Sequence, residues 1–294
     1  MTRARTAAGR AGLQVFLVLG LGFIVLPIAI VVVNSFNASP FGLWPPPGFS
    51  TRWYGNLFHN AGFGAPTIKS LEVALVSTGG TMLIGTLAGI GIARYRFVGR
   101  SLIQGFVVAP LIVPKVAIGF AAFILFLKLD WYGEFHTIVL AHIVITLPFV
   151  VTLVVAGLAR VDRTLEEAAM DLGAVPRQVI WRATLPQMRG ALAVAAAFSF
   201  IISFDELDAT IFIVGQTDNT LPVSMFIYME KYQDPTLAAL STLLIGAALV
   251  LGVAVAVLLA RLGGLRVLGA VGEPDAAVAP GAGPLIPSKE DIQP

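Results

Sequence analysis

Six apolar stretches divide the chain, at residues 13–33, about 70–92, 102–127, 136–158, 191–213 and 236–260. Each holds at least 21 residues, and ~20 residues of helix cross the ~30 Å hydrocarbon core of a bilayer. Hydrocarbon offers no water to the backbone, whereas a helix satisfies its own N–H and C=O groups. The pattern therefore predicts an all-α, polytopic membrane protein with six transmembrane helices. The first stretch follows a short basic segment carrying Arg3, Arg5 and Arg10, an arrangement that imitates a secretory signal peptide. Its apolar run is too long for the core of such a peptide, so it reads as an uncleaved first span. Residues 34–69 are polar and bear Trp44, Pro45, Pro46, Pro47, Trp53, Tyr54 and Phe58, which fits the external interface where Trp and Tyr gather. They hold no catalytic constellation.

Composition supports this reading and removes others. The 294 residues are 57% hydrophobic and 12% charged, with a mean hydropathy of +0.86, outside the range of soluble domains. There is no cysteine, which excludes disulfides and thiolate metal sites. A pI near 9.0 would admit nucleic acid, yet the basic residues form no single patch and are sorted by topology. With both termini in the cytoplasm, fourteen Lys and Arg residues fall inside, among them Arg94, Arg160 and Arg189. Only four fall outside, and Lys115 lies within a span. The positive-inside rule selects this orientation. It divides the chain into a cytoplasmic N-terminus (1–12), a six-helix membrane domain (13–265) and a Pro-, Gly- and Ala-rich tail (266–294) expected to be disordered.

The longest polar interruption, residues 160–190, carries its own helix signals. Thr164 followed three residues later by Glu167 has the form of a capping box, which starts a helix near Leu165. Gly173 suits the left-handed residue that ends it. Pro176 suits the first turn of a second helix, ending near Leu185 and Pro186. The result is a helix, a glycine turn and a second helix, on the cytoplasmic side.

Glu167-Ala168-Ala169, Gly173 and Leu185-Pro186 resemble the EAA loop of ABC importer permeases, whose pattern reads EAA, three residues, Gly, nine residues, Ile, one residue, Leu-Pro. Ala183 stands where that family usually has Ile. The run from Ser199 to Glu206, Thr220-Leu221-Pro222-Val223, Arg52-Trp53-Tyr54 and residues 110–119 are similar to the spermidine/putrescine-type permeases. Two positions depart from that likeness: Lys115, where an acidic or neutral residue is expected, and Lys69, where Asn is common. The resemblance implies a type I ABC importer permease (MetI-like) fold in the bacterial inner membrane. It also implies that Glu167, Ala168, Ala169, Gly173, Leu185 and Pro186 couple the chain to a cytoplasmic ABC ATPase dimer. Further partners implied are a second homologous permease, or a second copy of this chain, and a periplasmic substrate-binding protein, with membrane lipid around them and no nucleic acid. The residue types agree physically, since two alanines permit close approach, Glu167 offers a carboxylate to a basic partner and Gly173 sets the angle.

Polar residues within spans are costly and each needs an account. Ser199, Ser203, Glu206 and Thr210 share one face if the fifth span is helical throughout, with Asp205 and Asp208 flanking it. Two placements are open for these carboxylates: a water-accessible cavity with a locally broken helix, or headgroups at the outer end of the span. Lys115 follows Pro110 and Pro114, which remove helix hydrogen bonds; it lines a pathway, pairs with a carboxylate of the fifth span, or does both. His142 reads as a satisfied packing histidine and Glu72 as interfacial. The candidate pathway set is Asp205, Glu206, Asp208, Ser203 and Lys115. Three carboxylates against one ammonium favour a cation, in keeping with a polyamine such as spermidine or putrescine.

No Gly-x-x-x-x-Gly-Lys-Ser/Thr loop, His-Glu-x-x-His pair or Gly-x-Ser-x-Gly elbow occurs in the sequence. No catalytic, cofactor-binding or metal-ligating residue is assigned, and the chain is not expected to be an enzyme. ATP and Mg²⁺ belong to the partner ATPase. Alternatives are an importer permease for another small organic solute (amino-acid-like, opine or phosphonate) and an ATP-independent secondary transporter. The latter would need its own coupling-ion site and usually a repeated architecture, and no repeat is evident.

Overall fold

A computed structural model describes residues 2–59, 62–215 and 218–261; the tail expected to be disordered lies outside them. In chain order the helices are α1 (Thr2–Asn34), α2 (Arg52–His59), α3 (Gly64–Arg94), α4 (Arg100–Val108) continued by a 3₁₀ turn (Ala109–Leu111), α5 (Lys115–Lys128) and α6 (Phe135–Leu158). Then follow α7 (Arg163–Asp171), α8 (Pro176–Val179), a π-turn (Ile180–Thr184), α9 (Leu185–Gln187) and α10 (Arg189–Phe204). The chain closes with α11 (Thr210–Ile213), α12 (Leu221–Lys231) and α13 (Thr236–Arg261). Among the described residues the only β-bridges are isolated ones, Asn37 with Phe49 and Gly133 with Val214.

Among the described residues four helices are long and apolar enough to cross a bilayer unbroken, over Gly12–Asn34, Gly64–Arg94, Phe135–Leu158 and Thr236–Leu258. Two bent pairs raise the total to as many as six if each is counted as one span; in the second pair it is α10, not α8 or α9, that falls in the fifth apolar stretch. The first pair bends by 102° between the 3₁₀ turn and α5. Pro114 has no N–H to continue a helix and pushes Val113 away from helical backbone; its own ψ of 131° is extended. A second bend of 77° falls at Met188, between α9 and α10. Past it, α10 stops at Phe204, five residues before α11.

Helices α3, α6 and α10 form the central triad. In lipid the hydrophobic effect does not draw helices together, so they rely on close van der Waals approach. Gly85 and Gly89 of α3, four residues apart, supply it. A Cβ at Gly85 would lie 2.7 Å from Val150 Cγ1, and one at Gly89 would lie 2.5 Å from Val154 Cγ1. Towards α7 the seam is filled by Ile90, Leu158, Val161, Met188 and Ala195, and at the opposite end by Val73, Phe126, Ile138, Ile213 and Val214. Outside the triad, α1 packs along α13, and its apolar side chains, Phe16 and Phe23 among them, face outward.

The segment between α1 and α2 is more ordered than its composition suggests. Asn37 is buried, accepts from Ser39 N–H at 2.8 Å and donates to the Leu43 carbonyl at 2.9 Å. Trp53, expected at the water interface, is instead 8% exposed, its Nε1 donating to the Asn37 carbonyl at 2.7 Å. The amphipathic α2 turns Trp53 and Leu57 inward, whereas Trp44 stays exposed.

The α3–α6 seam generates a stability prediction. Gly89→Val should lower the melting temperature of the detergent-solubilised chain, corresponding to an overpacking cost of about 1–3 kcal/mol. Gly91→Val, where an added Cβ meets nothing within 4 Å, should melt close to the parent; equal melting of the two variants would contradict the packing argument.

Candidate translocation and coupling sites

Helix α10 ends where Asp205, Glu206 and Asp208 begin, consistent with the tendency of Asp to compete for backbone groups and favour helix ends. Glu206 turns inward and is 2% exposed. Its Oε1 accepts from the Ala209 N–H at 3.1 Å and its Oε2 from Lys115 Nζ at 2.8 Å. One carboxylate thus serves the start of α11 and the first residue of α5. Lys115 keeps 42% of its side chain exposed, and Asp205 and Asp208 are exposed as well. On the next turn of α5, a Cβ at Gly119 would lie 2.5 Å from Ala209 Cα and 2.7 Å from its carbonyl oxygen. Only glycine lets α5 approach the linker this closely.

The two sides of the break are tied by His142 of α6. Its Nδ1 lies 2.7 Å from Ser203 Oγ on α10 and its Nε2 2.9 Å from Thr210 Oγ1 on α11. A hydroxyl can donate or accept, so either tautomer satisfies both nitrogens. Ser203 also lies 2.8 Å from Ser77 Oγ of α3. One turn along, Thr146 donates to the His142 carbonyl at 2.7 Å and meets Thr81 at 2.8 Å. All of these side chains are buried.

The helix face expected to run from Ser199 to Thr210 is not continuous. Ser199 and Ser203 lie on α10, Glu206 in the linker and Thr210 on α11, yet all four are buried. Of the candidate pathway residues, Ser203, Glu206 and Lys115 surround the break from inside, and Asp205 and Asp208 border it on the exposed side. The histidine is satisfied, as expected, but its place as a cross-tie was not anticipated; the signal was the repeat of polar residues one turn apart in Ser77/Thr81 and His142/Thr146. Lys69 pairs with Asp218 before α12 and lies over the Phe135 ring.

At the other end, α7 begins two residues before the expected position. The N-cap is Asp162, whose Oδ1 accepts from the Thr164 N–H at 2.9 Å and hydroxyl at 2.8 Å, so no capping box forms between Thr164 and Glu167. A carboxylate is the stronger acceptor and suits the helix N-terminus. The Thr164 hydroxyl, then its backbone N–H, hold the Asp162 carboxyl below its ordinary value. The stability this cap supplies is therefore fully present above the ordinary carboxylate range and is lost as pH falls through the lowered value. Gly173 is left-handed, with φ of 87°, and Pro176 opens α8. The second helix ends near Leu185 and Pro186, as expected, with its last residue at Gln187 and a bend of 77° at Met188. Pro186 would clash with the Arg182 carbonyl in a regular helix, and the wider π-turn over Ile180–Thr184 precedes it, after which α9 resumes.

Glu167, Ala168, Gly173 and Pro186 are exposed on this hairpin, and Ala169 and Leu185 are half-buried. Leu172 and Trp181 add large exposed apolar surface beside them. The neighbouring Glu166, which sequence reasoning passed over, turns inward. Its Oε1 accepts from Thr184 Oγ1 at 2.6 Å and from Arg94 Nη2, at the end of α3, at 3.0 Å.

The chain is thus a helical bundle of membrane-spanning length with a broken helix and an exposed helix hairpin. Residues 82–267 match the family described as binding-protein-dependent transport system inner membrane component, and the chain belongs to it: it is a transmembrane permease subunit of an ABC importer. It is 33% identical to the putrescine transport system permease protein PotI of Escherichia coli (strain K12), covering 84% of this chain and 90% of that one. It is 32% identical to the spermidine/putrescine transport system permease protein PotC of the same strain, covering 79% and 88%. In fold it is similar to a chain of the bacterial alginate ABC transporter in complex with alginate pentasaccharide-bound periplasmic protein (TM-score 0.63, 17% identity, covering 84% of this chain and 92% of that one).

The Lys115–Glu206 pair generates the prediction for this region. Lys115→Met leaves a buried carboxylate without its cation and should destabilise the chain by about 2 kcal/mol, less than a fully buried pair because Lys115 is half in solvent. The double variant Lys115→Met/Glu206→Gln should recover part of that loss in thermal melting; a double variant no more stable than Lys115→Met would contradict the pairing account.

Proposed function

We propose that this subunit forms half of a translocation pathway for a small cationic solute, a polyamine of the putrescine or spermidine kind. A second homologous permease, or a second copy of this chain, supplies the other half. The observation that carries this reading is the exposure of Asp205 and Asp208 beside a broken helix in a membrane bundle. Charged groups at such a place are costly against lipid and belong on a water-filled or protein-covered face. Lys115 compensates Glu206, so Asp205 and Asp208 are the carboxylates left to attract an amine, with Ser203 close behind them. Weak attraction suffices, because tight binding midway would block release. The names of the two E. coli relatives support the same solute class.

The excess of Lys and Arg on the side of residues 160–190 supports a cytoplasmic position for α7–α9 and both termini. There Glu167, Ala168, Ala169, Gly173, Leu185 and Pro186 meet a cleft of an ABC ATPase dimer, which binds ATP and Mg²⁺; exposed Leu172 and Trp181 suit an apolar cleft wall. A periplasmic binding protein delivers the solute on the opposite side. Residues 160–190 are in this reading the coupling loop of the 13–265 permease domain.

Two measurements on the complex reconstituted in liposomes with its ATPase and binding protein test these assignments. Asp205→Asn/Asp208→Asn should slow putrescine uptake about five-fold, the factor for a screened charge interaction of about 1 kcal/mol. Uptake at the parental rate, or import of an anion, removes the cation reading. Separately, Glu167→Ala and Gly173→Leu should insert in the membrane yet lose solute-stimulated ATP hydrolysis, and parental stimulation in both would count against the docking surface.

A further inference from the structure

We propose that Arg94 and Glu166 form a strut that carries motion of the docking hairpin into the membrane core. The inference rests on the coupling role given to that hairpin. Three elements meet at one oxygen, Glu166 Oε1: the last residue of α3 through Arg94 Nη2 at 3.0 Å, the π-turn through Thr184 Oγ1 at 2.6 Å, and α7 through Glu166 itself. The two charged side chains are 16% and 12% exposed, and Thr184 is buried. A charge-assisted hydrogen bond so shielded from water is shorter and stiffer than a neutral or solvated one. The guanidinium depends on it for orientation, since Arg94 Nε is buried with no partner among the described groups.

The position of the strut gives it leverage. Elsewhere α7 packs mainly on the short α8 and the π-turn, and beyond these the hairpin rests on the bundle through the apolar Ile180 and Leu185, contacts that are less directional than an ion pair. Arg94 instead ends α3, the helix that packs on both α6 and α10. From α3 the path continues through Ser77 to Ser203, at the end of α10 beside the 205–209 linker. A push on α7 that keeps the ion pair intact therefore moves α3 and reaches the broken span. Glu167 faces the partner while Glu166, one residue earlier, grips the bundle; adjacent carboxylates on one helix divide docking from transmission.

The test uses the full complex in liposomes and measures solute transported per ATP hydrolysed, together with co-purification of the ATPase. Glu166→Gln and Arg94→Gln should co-purify normally and lower the transport-to-ATP ratio several-fold, and the charge swap Arg94→Glu/Glu166→Arg should recover much of it. A parental ratio in both single variants, whatever their melting temperatures, makes the pair merely a stabilising contact and overturns the proposal. So does a swap no better coupled than the single variants. Should Glu166→Gln fail to assemble, Glu166→Asp decides, because it keeps the charge on a shorter arm: a lowered ratio supports the strut and a parental ratio overturns it. Glu167→Ala, measured alongside, separates the two levels. Loss of coupling there with a parental ratio in Glu166→Gln removes the strut and leaves the docking surface standing, whereas the reverse result moves the docking surface and keeps the strut.

Discussion

A helix interrupted inside a membrane bundle leaves backbone groups and polar side chains with no water to turn to, and His142 is the residue that makes the interruption at 205–209 tenable. Its two ring nitrogens reach Ser203 before the gap and Thr210 after it, so the stubs are held in register by a side chain from a third, unbroken helix. Ser77 joins at Ser203, and Thr81 with Thr146 continues the polar seam one turn further. Each member is buried, and a buried polar group without a partner costs about 1–3 kcal/mol. The seam is therefore specific: α3, α6 and α10 have one relative rotation in which these hydroxyls meet.

Around this tie the remaining devices divide the work by chemistry. Glu206 is drawn out of the exposed acidic group by two donors, a backbone N–H and Lys115, leaving Asp205 and Asp208 free. Gly119 brings α5 against the linker without a side chain between them. Pro114 ensures that α5 begins where it does, so that its first residue is the one that reaches Glu206.

Much of this was legible in the sequence because lipid imposes simple rules. Apolar stretches of spanning length, the prolines before Lys115 and the glycine at 173 have inexpensive structural outcomes, and four unbroken spanning helices, a bend before α5 and a left-handed Gly173 were found among the described residues. What escaped depends on three-dimensional pairing. Asp162 displaced Thr164 as the cap because the choice between neighbouring acceptors is settled by local geometry. Trp53 moved inside because Asn37, sixteen residues earlier, offers its carbonyl. Glu166 and Glu167 are indistinguishable as residue types, and only the helix rotation decides which faces Arg94. The helical face drawn through Ser199 and Thr210 assumed an unbroken period, whereas three acidic residues within four positions, one of them accepting from the Ala209 N–H, interrupt it.

The interruption after Phe204 has an effect that no side chain in it controls. The carbonyls of the last turn of α10 lack continuing helical donors, apart from the tightening bonds made by the Asp205 and Glu206 amides. A helix C-terminus carries a partial negative charge of about half an electron. That charge is made of backbone, so protonation does not remove it and substitution does not edit it away. Where this span stops, the bundle presents a pH-independent electronegative end beside Asp205 and Asp208, one that adds to the charge those side chains carry and remains when either is replaced.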